Sequence, residues 1–217
     1  MTPAGASRAK HPLVAVYADE SCLGNGRDGD NPGGAGALVE YMRPESKEII
    51  RRDLWVAEPA TTNNRMALRS LIETFRALSR KENRFSVRFT SDSRYLVDGM
   101  KSWVHDWIRR GWTRKTGPIE NLALWQEAVD AVNGHQYQWC WVRGHRGHPQ
   151  NEYANHLATS AAARQTQSEG LVASQFDVWL ASQRERGAMR SDIDAFPSVE
   201  SFRPDAPLPA VSTGRQF

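Results

Sequence analysis

The chain is predicted to fold as an α/β domain around a mixed sheet, on three observations. Two short β-branched apolar runs, Leu13 to Tyr17 and Phe85 to Thr90, each lead directly into an aspartate, Asp19 and Asp92. A segment with apolar residues at helical spacing separates them, so the order strand, helix, strand implies a parallel pair. Between the first run and that helix lie two further extended segments joined by a polar turn, which predicts an antiparallel meander before the crossover.

The elements follow in order. After a polar leader over residues 1–12, expected to be disordered, the first strand delivers Asp19 at its carboxyl end, and a loop over Gly24 to Gly34 turns the chain. Ala35 to Met42 and Glu48 to Val56 form a hairpin around Arg43-Pro44-Glu45-Ser46. Thr61-Thr62-Asn63-Asn64 supplies capping side chains to an amphipathic helix in which Leu68, Leu71, Ile72, Phe75 and Leu78 share a face. A helical stretch over Ser93 to Trp112 is split by Gly111 and Gly117-Pro118 from a second one, Ile119 to Val132. Gln136 to Val142 alternates as a fifth strand, and a glycine-rich turn, Gly144-His145-Arg146-Gly147-His148-Pro149, opens a final helix that closes the domain near Ala163. Residues 164–217 are a C-terminal extension: Val172, Phe176, Trp179 and Leu180 suggest a short helix. The four prolines beyond Arg190, among serines, suggest a disordered end.

Composition bounds the function more loosely. The net charge is +3 over 217 residues, which hints only weakly at a polyanionic partner. Cys22 and Cys140 have neither disulfide-framework nor metal-knuckle spacing and are expected to be reduced thiols. No signal peptide and no stretch of the ~20 apolar residues needed to span a bilayer is present, so a cytoplasmic protein without membrane contact is expected, by default a monomer.

The chemistry gathers at one sheet edge. Neighbouring parallel strands that both end in aspartate bring two carboxylates to the edge where open α/β sheets bind ligands. Hard oxygen ligands suit magnesium or manganese, and two such ions ~4 Å apart can activate a water and stabilise a leaving oxygen in phosphodiester hydrolysis. Either aspartate alone would read as an ordinary cap. From Met100 to Lys115 five Lys or Arg face one acid, with Trp103, Trp107 and Trp112 threaded among them, a pattern that suits a nucleic-acid backbone. The competing reading is a solvated charged helix with its tryptophans in the core, and Trp125, Trp139 and Trp141 are read first as core. Asn25, Asn63 and Asn64 occupy polar loops where they can reach bases or sugars or serve only as turn residues. His145 can relay a proton from its glycine-flanked loop, and His148, before a proline, is read as structural.

Taken together, these segments resemble the type 1 ribonucleases H, which cut the RNA strand of RNA/DNA hybrids. The resemblance runs through Tyr17-Ala18-Asp19-Glu20-Ser21-Cys22-Leu23-Gly24-Asn25, Thr61-Thr62-Asn63-Asn64-Arg65-Met66, Ser91-Asp92-Ser93, the tryptophan-rich basic handle, and Val142-Arg143-Gly144-His145 through Asn151-Glu152, covering residues 13–163. It implies a ribonuclease H-like fold, a five-stranded mixed sheet with helices on both faces, and two-metal hydrolysis with Mg2+ or Mn2+. By the same resemblance Asp19 and Asp92 are metal-binding carboxylates, and His145 is the loop histidine. Trp103, Trp107, Trp112 and Trp125 grip or shape the channel for the DNA strand, and Asn25, Asn63 and Asn64 contact the minor groove and ribose. Contacts to the 2′-hydroxyl are how a protein distinguishes RNA from DNA.

Three positions depart from the family pattern. Ala67 stands where the family carries a helix glutamate, so two carboxylates and an amide would remain. Impaired or absent cleavage is expected on that ground, the alternative function being a non-catalytic hybrid-binding module. Asn155 replaces the last aspartate, keeps an oxygen for the metal, and is a variant the family tolerates. Glu20 replaces a small residue after Asp19, in a chain whose following loop is longer than usual. Strand alternation sends Glu20 to the opposite face, away from the role Ala67 leaves open.

Overall fold

In the computed structural model, residues 9–24, 31–144 and 146–209 are described. The meander and crossover form as the sequence predicts: β1 (Leu13–Cys22), β2 (Gly33–Met42) and β3 (Ile49–Glu58) are antiparallel neighbours. Helix α1 (Asn63–Leu78) then carries the chain back to β4 (Ser86–Ser91), parallel to β1. Thr62 caps α1, its side chain accepting the Arg65 amide, and Met66, Leu68, Leu71, Ile72 and Phe75 are fully buried beneath it. Next come α2 (Arg94–Asp98), a π-turn (Gly99–Trp103), α3 (Val104–Arg109), α4 (Leu122–Val132) and β5 (Gln136–Trp141), which pairs parallel with β4. Helix α5 (Pro149–Arg164) covers the other face of the sheet.

The sheet has six strands, in the order β5-β4-β1-β2-β3-β6, where five were expected. The sixth, β6 (Val172–Ala173), comes from the extension and pairs antiparallel with the outer edge of β3 at Arg52 and Asp53. Sequence reading placed Val172 on the short helix instead, because two residues show no strand periodicity and because this strand satisfies an edge rather than building a core. It is followed by α6 (Phe176–Glu185). Phe176 and Leu180 pack with Ala15, Tyr17, Leu38 and Tyr153 in a second core on the α5 side of the sheet. Buried Asp53 ties the two parts together, accepting from the Tyr153 hydroxyl at 2.6 Å and the Gln175 amide at 3.0 Å.

Beyond α6 the described residues, to 209, have no regular structure but are packed. Phe202 is fully buried, the Asp205 carboxylate accepts the Trp139 amide at 2.7 Å, and the Asp205 amide donates to the Tyr137 carbonyl. This segment thus covers the free edge of β5 as β6 covers that of β3. Both cysteines are free thiols, and no described helix is long and apolar enough to cross a bilayer.

If the extension is part of the core, Phe176→Ala should destabilise the chain by about 3 kcal/mol. The urea midpoint measures this; a shift equivalent to less than about 0.5 kcal/mol, the range of ordinary surface changes, would show α6 to be peripheral.

Candidate metal centre

β1 does not stop at Asp19, as its apolar run suggested. It stays paired with β2 through Cys22, while its ladder with β4 ends at Ala18 opposite Ser91. Asp19 and Glu20 therefore extend past the parallel ladder, next to Asp92 and Ser93, where β4 gives way to α2. There the carboxylates of Asp19, Glu20 and Asp92 converge, each offering an oxygen within 4.8 Å of the others. This corrects the expectation for Glu20. Alternation points Glu20 away from Asp19 at the backbone, but past the last β4 pairing β1 is an open edge on that side, and a glutamate's longer stem brings its carboxylate round to those of Asp19 and Asp92.

The electrostatics are those of a site short of positive charge. Burial raises the Asp19 carboxyl to about 8, the negative charge of Asp92 adds to this, and the Glu20 amide, donating to Asp19 Oδ1 at 2.7 Å, partly offsets it. Glu152 raises it further and Asn151 lowers it. Glu20 is likewise pushed well above the ordinary carboxylate range, first by burial and then by Asp19 and Asp92, with a hydrogen bond from Ser93 opposing. Its Oε2 is sealed from solvent with no hydrogen-bond partner. An orphaned carboxylate oxygen among like charges is an arrangement that a divalent cation would satisfy. The donors present, three carboxylates at a sheet edge, fit magnesium or manganese.

Three elements hold this geometry. Gly144 passes so close to Asp92 that a Cβ there would lie 2.0 Å from Oδ2, so the loop after β5 needs a glycine to close over the site. Helix α5 presses onto β2 at Gly34 and Gly36, where a Cβ would meet the carbonyls of Ala158 and Ala154 at 2.1 and 2.4 Å. That contact brings buried Asn151 to Asp19 Oδ2 at 3.3 Å and the Ala18 carbonyl at 3.4 Å. Asn155 lies one helical turn later on the same face, and its Oδ1 accepts from Thr159. Trp141, expected in the core, is 41% exposed; its indole donates to the Asp92 carbonyl at 3.0 Å and Arg94 stacks 4.1 Å over its ring. Sequence reading missed this role of Trp141, since a strand-end tryptophan in an alternating run looks like core.

The other expected residues are distributed as follows. Ala67 is fully buried in the core beneath α1. Asn63 and Asn64 form the first turn of α1, and Asn63 Oδ1 is sealed without a partner. In the handle Trp103 is exposed, Trp107 and Trp112 are half-buried, and Trp125 is fully buried, donating to the Tyr95 hydroxyl at 2.9 Å. Trp103 and Trp107 each meet Trp125 edge to face and are tilted against each other, and a cleft lined by Tyr95, Trp103, Trp107, Arg110 and Arg114 opens beside them. Asn25 and His145 lie outside the described residues.

Residues 11–163 match the family model for RNase H. The chain belongs to the RNase H family. It is 43% identical to the ribonuclease H of Stutzerimonas stutzeri over 67% of its own length and 88% of that protein's, and 42% identical to ribonuclease HI of Pseudomonas aeruginosa over 69% and 93%. Like these relatives it is a hydrolase of the endoribonuclease class. Among solved structures it resembles LC9-RNase H1, described as a type 1 RNase H with the type 2 active-site motif. That likeness has a TM-score of 0.88 and 64% identity, covering 97% of this chain and all of that one. The likeness therefore includes the extension that the relatives from S. stutzeri and P. aeruginosa do not cover.

The raised carboxyl of Asp19 sets a pH dependence. Without metal, the folded chain holds a proton at Asp19 up to about pH 8, whereas the unfolded chain releases it near 3.8. Between those values the folded state binds more protons, so metal-free stability falls as pH rises across that window. A divalent ion displaces that proton, so the stabilisation it confers should grow over the same window. Melting curves with chelator and with magnesium at several pH values check this; a metal-induced rise in Tm that is flat from about pH 5 to 8 would contradict it.

Proposed function

We propose that this chain is a competent endonuclease that cleaves the RNA strand of RNA/DNA hybrids by two-metal hydrolysis. Asp19, Glu20 and Asp92 are its carboxylates and Asn155 the neutral oxygen that completes the set. The observation carrying this reading is the convergence of Glu20 with the two strand-end aspartates. The expectation of impaired cleavage rested on Ala67 leaving two carboxylates; Glu20 returns the number to three. The likeness to a type 1 RNase H with the type 2 active-site motif supports the same relocation of a carboxylate.

Bound magnesium or manganese would supply an activated water and charge neutralisation at the scissile phosphate. The chain's own groups do the rest. Asp19, Glu20 and Asp92 fix where that charge sits, and Asn151 orients Asp19 through Oδ2. The Trp141 indole fixes the Asp92 carbonyl, and Gly144 leaves room for the Asp92 carboxylate. His145, between Gly144 and Arg146, is placed by sequence to take or give a proton at the leaving oxygen. Exposed Trp103 offers a stacking surface, and Arg110 and Arg114 beside it offer phosphate contacts to the strand that is not cut. Asn63 and Asn64, with Asn25, are the proposed minor-groove contacts.

Two experiments test the reading. On labelled hybrid with magnesium, Glu20→Gln should reduce cleavage by at least about a hundredfold, as losing a preorganised charged group does, while Ala67→Glu should give no comparable gain over the parent. Wild-type inactivity combined with strong cutting by Ala67→Glu would overturn this reading in favour of an endonuclease impaired at Ala67, and no cleavage by either chain, with tight hybrid binding retained, would select the non-catalytic hybrid-binding module. Trp103→Ala should raise KM for hybrid about tenfold with little change in kcat, from the loss of one stacking contact. An unchanged KM would remove Trp103 from the interface.

A further inference from the structure

The first turn of α5 is gripped from two sides. Toward β1, Asn151 donates to Asp19 Oδ2 and the Ala18 carbonyl. On its outer side lies the segment after α6. Fully buried Gln150 clamps the Asp194 backbone twice, its Nε2 donating to the Asp194 carbonyl at 3.0 Å and its Oε1 accepting the Asp194 amide at 3.1 Å. The Asp194 carboxylate in turn lies 3.0 Å from His148 Nε2.

His148 is the N-cap of α5. Its Nδ1 accepts the Asn151 amide at 3.3 Å, and its ring packs 5.5 Å from that of Tyr17. Because Nδ1 is an acceptor, the neutral ring carries its proton on Nε2 and donates it to Asp194; a partner at one ring nitrogen selects the role of the other. A continuous set of contacts therefore runs from Asp194 through His148 to the Asn151 backbone, and from the Asn151 side chain to Asp19. Every member except Asp194 belongs to β1 or to the loop and first turn of α5, within the RNase H region; Asp194 comes from the extension.

We propose that Asp194 is a positioning residue for the carboxylate cluster: by holding His148 in its Nε2–H form it sets the first turn of α5 and, through Asn151, the orientation of Asp19. The packed extension is then a working part of the centre. This rests on the reading of the Asp19 cluster as a divalent-metal site.

The surroundings make the test clean. The His148–Asp194 pair is half-exposed on the aspartate side, and such pairs contribute little stability. The clamp from Gln150 uses only the Asp194 backbone, so Asp194→Ala should keep the fold, with Tm within about 2 °C of the parent. Manganese affinity is measured in the full chain without substrate, by titration calorimetry, together with the ring-nitrogen chemical shifts of His148 and kcat and KM on hybrid. Asp194→Ala should weaken manganese binding about three- to tenfold, the lower end of what partners behind metal ligands contribute. It should lower kcat at limiting magnesium with KM unchanged, and mix the His148 tautomers. Asp194→Asn, which still accepts from Nε2, should restore all three. In a His148→Asn background, where the cap is kept but the reach to Asp194 is lost, adding Asp194→Ala should have no further effect.

Wild-type tautomer and manganese affinity in Asp194→Ala would overturn the proposal, as would an Asp194→Asn variant no better than Asp194→Ala. Asp19→Asn separates the two levels. If it binds manganese as the parent does, the metal reading fails, while the His148 tautomer still reports on the contact with Asp194.

Discussion

Everything at the centre of this protein depends on where the parallel ladder between β1 and β4 stops. The pairing ends at Ala18 and Ser91, one residue short of an aspartate on each strand, and β1 alone continues, held by β2. Three acidic side chains thus project from a backbone fixed on one side and open on the other. Burial and their mutual repulsion hold Asp19 and Glu20 above the usual carboxylate range. A fold that keeps such a cluster does so at the expense of metal-free stability, and a cation is the natural counterweight. The supporting features serve this one placement. Glycines in β2 let α5 approach, Gly144 lets the loop after β5 close over Asp92, and Trp141 ties the Asp92 backbone in place.

Most of the frame was legible in the sequence because it is written in period. The apolar runs before Asp19 and Asp92, the meander, and the crossover helix each carry the repeat their secondary structure requires, and their order fixes the parallel pair. The tryptophan handle was legible as a surface only in part. Trp103 is exposed, but Trp125 is buried and serves as the floor on which Trp103 and Trp107 rest. What period could not convey was the behaviour of residues at element ends. Alternation separated Glu20 from Asp19 because it fixes where a side chain leaves the strand, not where a long one ends at an open edge, and Trp141 looked like core because the pattern does not mark where the strand ends. The extension was hardest to read, since the segment after α6 is fixed by isolated anchors, Asp194, Phe202 and Asp205, separated by residues with no repeat.

Glu20 and Ala67 are best understood together. On the proposed reading, a glutamate at 67 would add a fourth carboxylate to a cluster already resisting ionisation. Alanine at 67 instead fills the core beneath α1 with a methyl group and leaves the charge of the centre at three carboxylates. On the proposed reading, the acid has moved from a helix to a strand, which keeps the number of ligands while changing which element sets their position. In this chain that element is β1, steadied by α5 through Asn151, and α5 is in turn held by the extension. The proposed role of Asp194 would connect the added length of this protein with its carboxylate set.

The central claim is that Glu20 is a metal ligand, and a crystal of the chain soaked with manganese tests it without reference to activity. Anomalous density should appear among Asp19, Glu20 and Asp92, with a Glu20 oxygen at a bonding distance of about 2.0–2.4 Å, as expected for hard divalent cations on carboxylate oxygen. Manganese bound by Asp19 and Asp92 with the Glu20 carboxylate turned away, or no manganese at this edge of the sheet, would contradict the account.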